Sequence, residues 1–256
     1  MEKDEKLVFE TVALAGEVLL TSGAEIFRVV DTMNRIAAAY QCQNLDTFIL
    51  SNGILISTSG KEHGSQAKIR HIPLGGSRLD RIDAVNQLSR EIGLGMHSPQ
   101  QAYERLKQIQ KMPSRPAWQQ VIASGVGSGA FCYVFGGGMW DAVAAFVAGL
   151  VLYLYFLYLV KGRLSKIAMN ISGGALVTVV ALLMLNLGIG SNLEMVSAGA
   201  VVPLLPGVAF TNGIRDIADE DYISGSVRLL DAMLVVACLA LGVCLTSFTY
   251  NYWIGG

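Results

Sequence analysis

Charge is nearly missing from the second half of this sequence. The chain of 256 residues has 19 Lys and Arg against 20 Asp and Glu, and 27 of these fall in positions 1–115 but only 12 in positions 116–256. Neither half is basic enough to suggest a protein that holds nucleic acid electrostatically. Histidine is confined to the first part, as His63, His71 and His97. Cysteine is sparse, and Cys42, Cys132, Cys238 and Cys244 show neither metal-ligand nor redox spacing. Three of them fall in apolar stretches, where a small buried hydrophobe is the expected role. No nucleophile elbow or phosphate loop is present, so neither cofactor nor metal is expected. The opening Met-Glu-Lys-Asp-Glu-Lys, with Glu10 and Glu17 following, lacks the apolar run of a signal peptide. The N-terminal part is therefore expected to stay in the cytoplasm.

The charged part reads as a small α+β domain. Val8, Val12, Ala15 and Leu19 recur at helical spacing and Gly23 follows as a stop; Ile26, Val29, Val30, Met33, Ala37 and Tyr40 mark a second helix. Three short β-branched or aromatic stretches come next, Leu45–Leu50, Gly53–Ser59 and Ala67–Ile72, punctuated by Asn52-Gly53 and Gly60. The first two can form a hairpin. Helices are expected at about Leu79–Leu94 and Pro99–Lys111, the latter with Ser98 as N-cap and Gln101 placed for a capping box. His63, His71, Cys42 and the Ser51-Asn52 turn are raw material for a nucleophile and base. They keep open a membrane-anchored enzyme or sensor as the alternative of another class.

The uncharged part contains five long gaps between charges: Pro116–Trp140, Ala142–Val160, Ile167–Leu193, Met195–Ile214 and Ala232–Gly256. Each approaches or exceeds the roughly 20 apolar residues that cross a bilayer as a helix. The expected fold is thus mixed. A cytoplasmic α-α-β-β-β-α-α domain, 1–115, precedes an all-α five-helix transmembrane bundle, 116–256, with helices at about 117–139, 142–160, 167–187, 195–214 and 229–251. Lys111 and Arg115, then Lys161, Arg163 and Lys166, then Arg215 and Arg228 all fall on one side of such a bundle, which the positive-inside rule makes the cytoplasmic side. Trp118 and Tyr153–Tyr158 lie toward that side; Trp140 and Tyr250–Trp253 lie toward the other. This places the C-terminus outside.

One stretch does not suit lipid. Pro203-Leu-Leu-Pro-Gly-Val-Ala-Phe-Thr-Asn-Gly-Ile-Arg-Asp216 lies mostly inside the fourth apolar gap. Pro206 lacks an N–H and clashes with the carbonyl four residues back, and freed backbone groups are tolerated at membrane depth only inside a protein or beside a wet cavity. A broken helix with polar residues one turn on is a common transporter site. Pro203, Pro206 and Gly207 are the expected break, and Thr211 and Asn212 the expected substrate contacts. Arg215 and Asp216 are the expected inner gate. Ser128, within Ser124-Gly-Val-Gly-Ser-Gly129, and Asn170 either pack helices or meet substrate. Asp231 either pairs with Arg228 three residues earlier or acts as a proton-sensitive gate. Asp141 and Glu194 sit at helix ends, where solvation suffices, and Ser224-Gly225-Ser226 looks like the cap of the last helix.

The segment Pro203…Leu-Pro-Gly…Thr-Asn-Gly-Ile-Arg-Asp216, followed by Ser224-Gly225, Arg228 and Asp231-Ala232, resembles the signature of the threonine/serine exporter family. Gly16-Glu-Val-Leu-Leu-Thr-Ser-Gly-Ala-Glu-Ile-Phe-Arg28 is similar to that family's N-terminal domain. The resemblance covers nearly the whole chain and implies an integral plasma-membrane exporter of small hydroxy amino acids, driven by protons. Members often carry ten spans in one chain. This chain looks like the larger subunit of the split type, which implies a smaller five-helix membrane subunit as partner. Some split pairs are associated with succinate export, and assembly with further copies of the chain is left open. The sequence departs from the family at Asp231, where a glutamate is common.

Overall fold

The computed structural model describes residues 2–42, 45–60, 64–73, 75–160, 162 and 164–253. His63, Lys161 and Arg163 lie outside the described residues. Those described are mostly helical, with one three-stranded antiparallel sheet, and divide into two compact units. The first is Met1–Pro113 with Gly207–Leu230, and the second is Ser114–Pro206 with Asp231–Gly256. The sequence expects one boundary near 115, whereas 207–230 falls with the first unit.

In the first unit, α1 (Glu2–Thr21) buries Val8, Val12, Ala15 and Leu19, the stripe that its spacing predicts. It ends where Gly23 turns left-handed, with φ +79. The Gly23 amide donates to Leu20 O at 3.0 Å and the Ala24 amide to Leu19 O at 3.1 Å, which satisfies the last carbonyls in a Schellman motif. After this tight turn, α2 (Ile26–Ala39) buries Ile26, Val29, Met33 and Ile36. A Cβ at Gly16 would collide with Met33 Sδ, so this glycine leaves room for the Met33 side chain. Strands β1 (Leu45–Leu50), β2 (Gly53–Gly60) and β3 (Gly64–His71) run in that order, and a two-residue turn joins β1 to β2. Alternation sends Ile49, Ile54 and Ile56 into the helical core and leaves Phe48, Leu55 and Ile69 exposed as one cross-strand row. Helices α3 (Leu79–Gly93) and α4 (Pro99–Gln110) complete the layer. The capping box at α4 is formed: Ser98 N donates to Gln101 Oε1 at 2.9 Å and Gln101 N to Ser98 Oγ at 3.3 Å. Arg78 donates to Met112 O at 3.3 Å and Pro113 O at 3.0 Å, fastening the segment after α4. Arg78 also holds the Asp80 carboxyl down to about 2 by hydrogen bonding.

The same unit contains α9 (Gly207–Ala218) and the first turns of α10 (Tyr222–Trp253). Their link is tight, with Glu220 at φ +67 and Asp221 N donating to Asp216 O at 2.8 Å. Asp221 Oδ1 accepts from Ser224 N at 3.1 Å, so Asp221 caps α10 and Ser224-Gly225-Ser226 lies inside the helix, contrary to the sequence reading. An acidic side chain one residue before the helix outcompetes a serine within it, because only the former faces the free amides. Gly225 serves packing instead. A Cβ there would come 2.7 Å from Gly213 O on α9.

The second unit contains α5 (Ala117–Val134), α6 (Met139–Leu154, continued by a π-helical turn at Tyr155–Val160), α7 (Lys166–Asn186) and α8 (Leu193–Val201), with the rest of α10. Small residues let these helices touch. A Cβ at Gly129 would lie 2.9 Å from Ala142 O, and one at Gly199 would lie 2.6 Å from Cys132 N. Among the described residues, three helices are long and apolar enough to cross a membrane, Met139–Val160, Lys166–Asn186 and Tyr222–Trp253, and a fourth crossing results if the bent pair Leu193–Leu204 and Gly207–Ala218 is one broken span. The sequence expects five. The expected helix at 117–139 is α5, 18 residues long, whose Gln119, Gln120 and Gly/Ser run dilute its apolarity. The expected helix at 229–251 begins earlier, at Tyr222.

Ser98→Ala removes one arm of the capping box and is expected to cost about 1 kcal/mol. The check is the thermal unfolding midpoint of the full chain in detergent, which should fall; an unchanged midpoint contradicts the cap's role.

Candidate functional site

The helical path stops where the sequence places its prolines. After α8 the chain tightens into a 3-10 turn, Val202–Leu204, with Pro203 inside it. Leu205 is then extended, at φ -63 and ψ 132, as a residue before proline tends to be. Pro206 follows and α9 opens at Gly207. The first four amides of a helix have no partner within it. Gly207 is exposed, a Cβ on it would meet nothing within 4 Å, and no acidic side chain lies in the first turn. The start of α9 is thus an uncrowded, electropositive helix end.

Two turns along, α9 meets the turn between α1 and α2, within the first unit. Asp216 Oδ1 accepts from the Ile26 amide at 3.2 Å. Ile26 is the first residue of α2, and Glu25, the N-cap by position, makes no side-chain cap bond. A carboxylate 190 residues away in sequence takes that role. Arg228, two turns into α10, places Nη1 3.3 Å from Asp216 Oδ2 and donates Nη2 to Ala24 O at 2.8 Å. Asn212 Nδ2 donates to Gly23 O at 2.9 Å, and Arg215 Nη1 pairs with Glu25 Oε1 at 2.9 Å. The anion thus stands at the positive end of α2 and the cation on the Ala24 carbonyl just past the negative end of α1. Only 2% of Asp216 and 5% of Arg228 is exposed, so solvent screens neither.

The structure therefore brings Asn212, Arg215, Asp216 and Arg228 together, with partners the sequence reading lacks. Arg215 and Asp216 do not pair with each other, and Arg228 pairs with Asp216 rather than with Asp231. Asp231 is held by Lys166, whose Nζ lies 2.5 and 2.6 Å from its two carboxylate oxygens. Thr211 Oγ1 turns back to Gly207 O at 2.9 Å, and Asn170 Nδ2 to Lys166 O at 2.9 Å. Ser128 Oγ donates to Ala200 O at 3.4 Å and Ser124 Oγ to Gly149 O at 3.0 Å, so both hydroxyls serve helix contacts. Pro203 lies beside α5, 3.8 Å from where a Cβ on Gly127 would stand. Asp141, read as solvated, is buried and accepts from the amides of Gly138, Ser191 and Asn192. A cavity of about 480 Å³ lies elsewhere, between the C-terminal halves of α7 and α10, lined by Leu183, Asn186, Thr249, Tyr250 and Trp253 among others. None of the expected substrate or gating residues lines it. The sequence reading missed Glu25 and Lys166. Gly23, as a helix stop just before Glu25, was the available signal. As for the enzyme alternative, burial pushes the Cys42 thiol up, away from a thiolate nucleophile, while His71 ends β3 in the open.

Comparison with known proteins gives a family. The family model described as "Putative threonine/serine exporter" matches residues 10–250. The chain is 23% identical to a threonine/serine exporter of Corynebacterium glutamicum, over 95% of this chain and 52% of that one. It is 22% identical to pheromone-regulated membrane protein 10 of Debaryomyces hansenii, over 92% of this chain and 24% of that one. It is 26% identical to a Klebsiella aerogenes protein named "Probable succinate transporter subunit YjjP", over 88% of this chain and 87% of that one. The chain thus spans about half the length of the first of these relatives and a quarter of the second. No solved structure matches it.

Asp216→Ala leaves the Arg228 guanidinium buried without its counter-ion, and is expected to cost about 3–5 kcal/mol. Replacing both, as Asp216→Ala with Arg228→Met, removes the stranded charge and should recover part of that loss. Chemical unfolding of the full chain in detergent measures both; a neutral Asp216→Ala contradicts the dry ion pair.

Proposed function

The chain belongs to the threonine/serine exporter family, and from that premise we propose that it is a subunit of a secondary transporter exporting small polar metabolites, threonine and serine first, driven by the proton gradient. The observation that carries the reading is the break at Leu205 and Pro206, with the open amides of α9 after it. A half-helix N-terminus suits a substrate carboxylate, and carbonyls freed at a break suit its ammonium group. Thr211, one turn on, offers its hydroxyl to the substrate hydroxyl, and Asn212 lies beside it. In the second unit Ser128 and Asn170 are the polar groups assigned to the path, although each already bonds within its own unit. Arg215, Asp216, Arg228 and Asp231, each ion-paired, are assigned to gating and coupling. Charge placement supports a cytoplasmic N-terminus and an outward-facing end of α10. A smaller five-helix membrane subunit is the proposed partner, in keeping with the Klebsiella relative's name as a subunit.

A dicarboxylate is the second reading. The observation favouring it is that the relative named for succinate is matched along most of its length, unlike the other two. Under that reading Arg215 binds the second carboxylate, so Arg215→Gln abolishes succinate efflux and spares threonine.

The test is efflux of preloaded threonine, serine and succinate from vesicles holding the chain with and without a five-helix partner. Pro206→Ala, which lets α8 run on toward α9, should lower efflux about tenfold or more, an added barrier of at least about 1.4 kcal/mol. Absence of efflux of all three substrates in every pairing overturns the exporter reading.

A further inference from the structure

The polar contacts between α9–α10 and the α1–α2 turn are of an unusual kind. Three of the groups that α9 and α10 engage on that turn are main-chain atoms: Gly23 O, Ala24 O and Ile26 N. A main-chain contact registers where the turn is, and this turn is stiff. The Schellman motif fixes its start, and its two flanking helices are anchored by Leu19, Leu20, Ile26 and Val29 in one hydrophobic core. On the other side, α9 has no continuous helix before it, because Leu205 is extended and Pro206 lacks an amide hydrogen. Gly213 and Gly225 bring α9 and α10 into backbone contact, so the two helices present a single body to the turn.

The fourth contact is of a different sort. Glu25 is shared: Oε1 pairs with Arg215 at 2.9 Å and Oε2 with Arg28 at 3.1 Å. Its side chain is 15% exposed, whereas those of Arg215 and Arg28 are 56% and 53% exposed. A carboxylate with one cation on its own helix and another on α9 has a second resting place when α9 moves. The main-chain contacts have none. Glu25 is therefore the adjustable point of a grip that is otherwise fixed.

We propose that the α1–α2 turn is the element through which the N-terminal domain positions α9, and that Glu25 is a positioning residue for transport. This rests on the exporter reading, since what α9 carries under that reading is the substrate's amide cradle at Gly207. A positioning group changes how fast a site turns over more than how tightly it binds. Were Arg215 instead a substrate ligand, its loss would raise the half-saturating concentration.

The experiment uses the full chain with its partner in vesicles and three variants: Glu25→Arg, Arg215→Glu, and both together. Each single reversal is expected to lower the maximal efflux rate about tenfold while moving the half-saturating concentration less than about twofold, and the double reversal to recover at least about a third of the rate. Unchanged rates in the singles, a double no better than either single, or a change confined to the half-saturating concentration overturns the proposal. Hydrogen exchange on the full chain in detergent separates this from failure of the exporter reading. Amides of residues 26–29 should exchange faster in Arg215→Glu and in Asp216→Asn, and slow again in the double reversal. That holds whether or not any substrate is exported, and unaltered exchange in both variants overturns the grip itself.

Discussion

A carboxylate and a guanidinium, Asp216 and Arg228, face each other at 3.3 Å with almost no solvent at either. Two charges so placed are tolerable only when each finds further hydrogen bonds. Asp216 finds the first amide of α2, and Arg228 finds the carbonyl of Ala24. The arrangement thus requires a turn that shows a carbonyl and a free helix amide side by side. The Schellman ending of α1, followed two residues later by α2, supplies it. Gly23 is necessary because a left-handed φ is strained for other residues.

Under the exporter reading, function depends on what this pair holds. The α9 helix is cut from its predecessor by Pro206 and pressed onto α10 by Gly213 and Gly225. A short helix with an open N-terminus is useful to a transporter only if it is held still until it must move. The fixed part of the grip uses backbone atoms and buried charges. The adjustable part uses Glu25, Arg215 and Arg28, all on the more exposed side.

Much of the first unit was legible in the sequence because its signals are local. The Ser98–Gln101 box, the turn between Leu50 and Gly53, and the stop at Gly23 are each decided within a few residues. The break at Pro203 and Pro206 was legible for the same reason. What escaped was long-range charge partnering. Arg228 and Asp231 stand three apart on one helix and invite pairing, yet each found a partner on another helix, Asp216 and Lys166. Spacing gives candidate pairs, but burial selects among them, and burial depends on the tertiary fold. Asp141 shows the same: at a helix end it reads as solvated, whereas three amides converge on it. The helix at 117–134 is a weaker case. Its freedom from charge reads as a span, while Gln119, Gln120 and the glycines and serines after them leave it less apolar than the three long helices.

The α9 helix begins as an open helix end after a true break and is held from the α1–α2 turn. An experimental structure of the full chain in a lipid nanodisc with threonine bound tests this most directly. The ligand carboxylate should lie on the Gly207–Ala209 amides, with Leu205 still extended and Arg228 still ion-paired with Asp216 and bonded to the Ala24 carbonyl. A continuous helix through 201–210, or threonine seated away from the start of α9 with Asp216 and Arg228 apart, would contradict it.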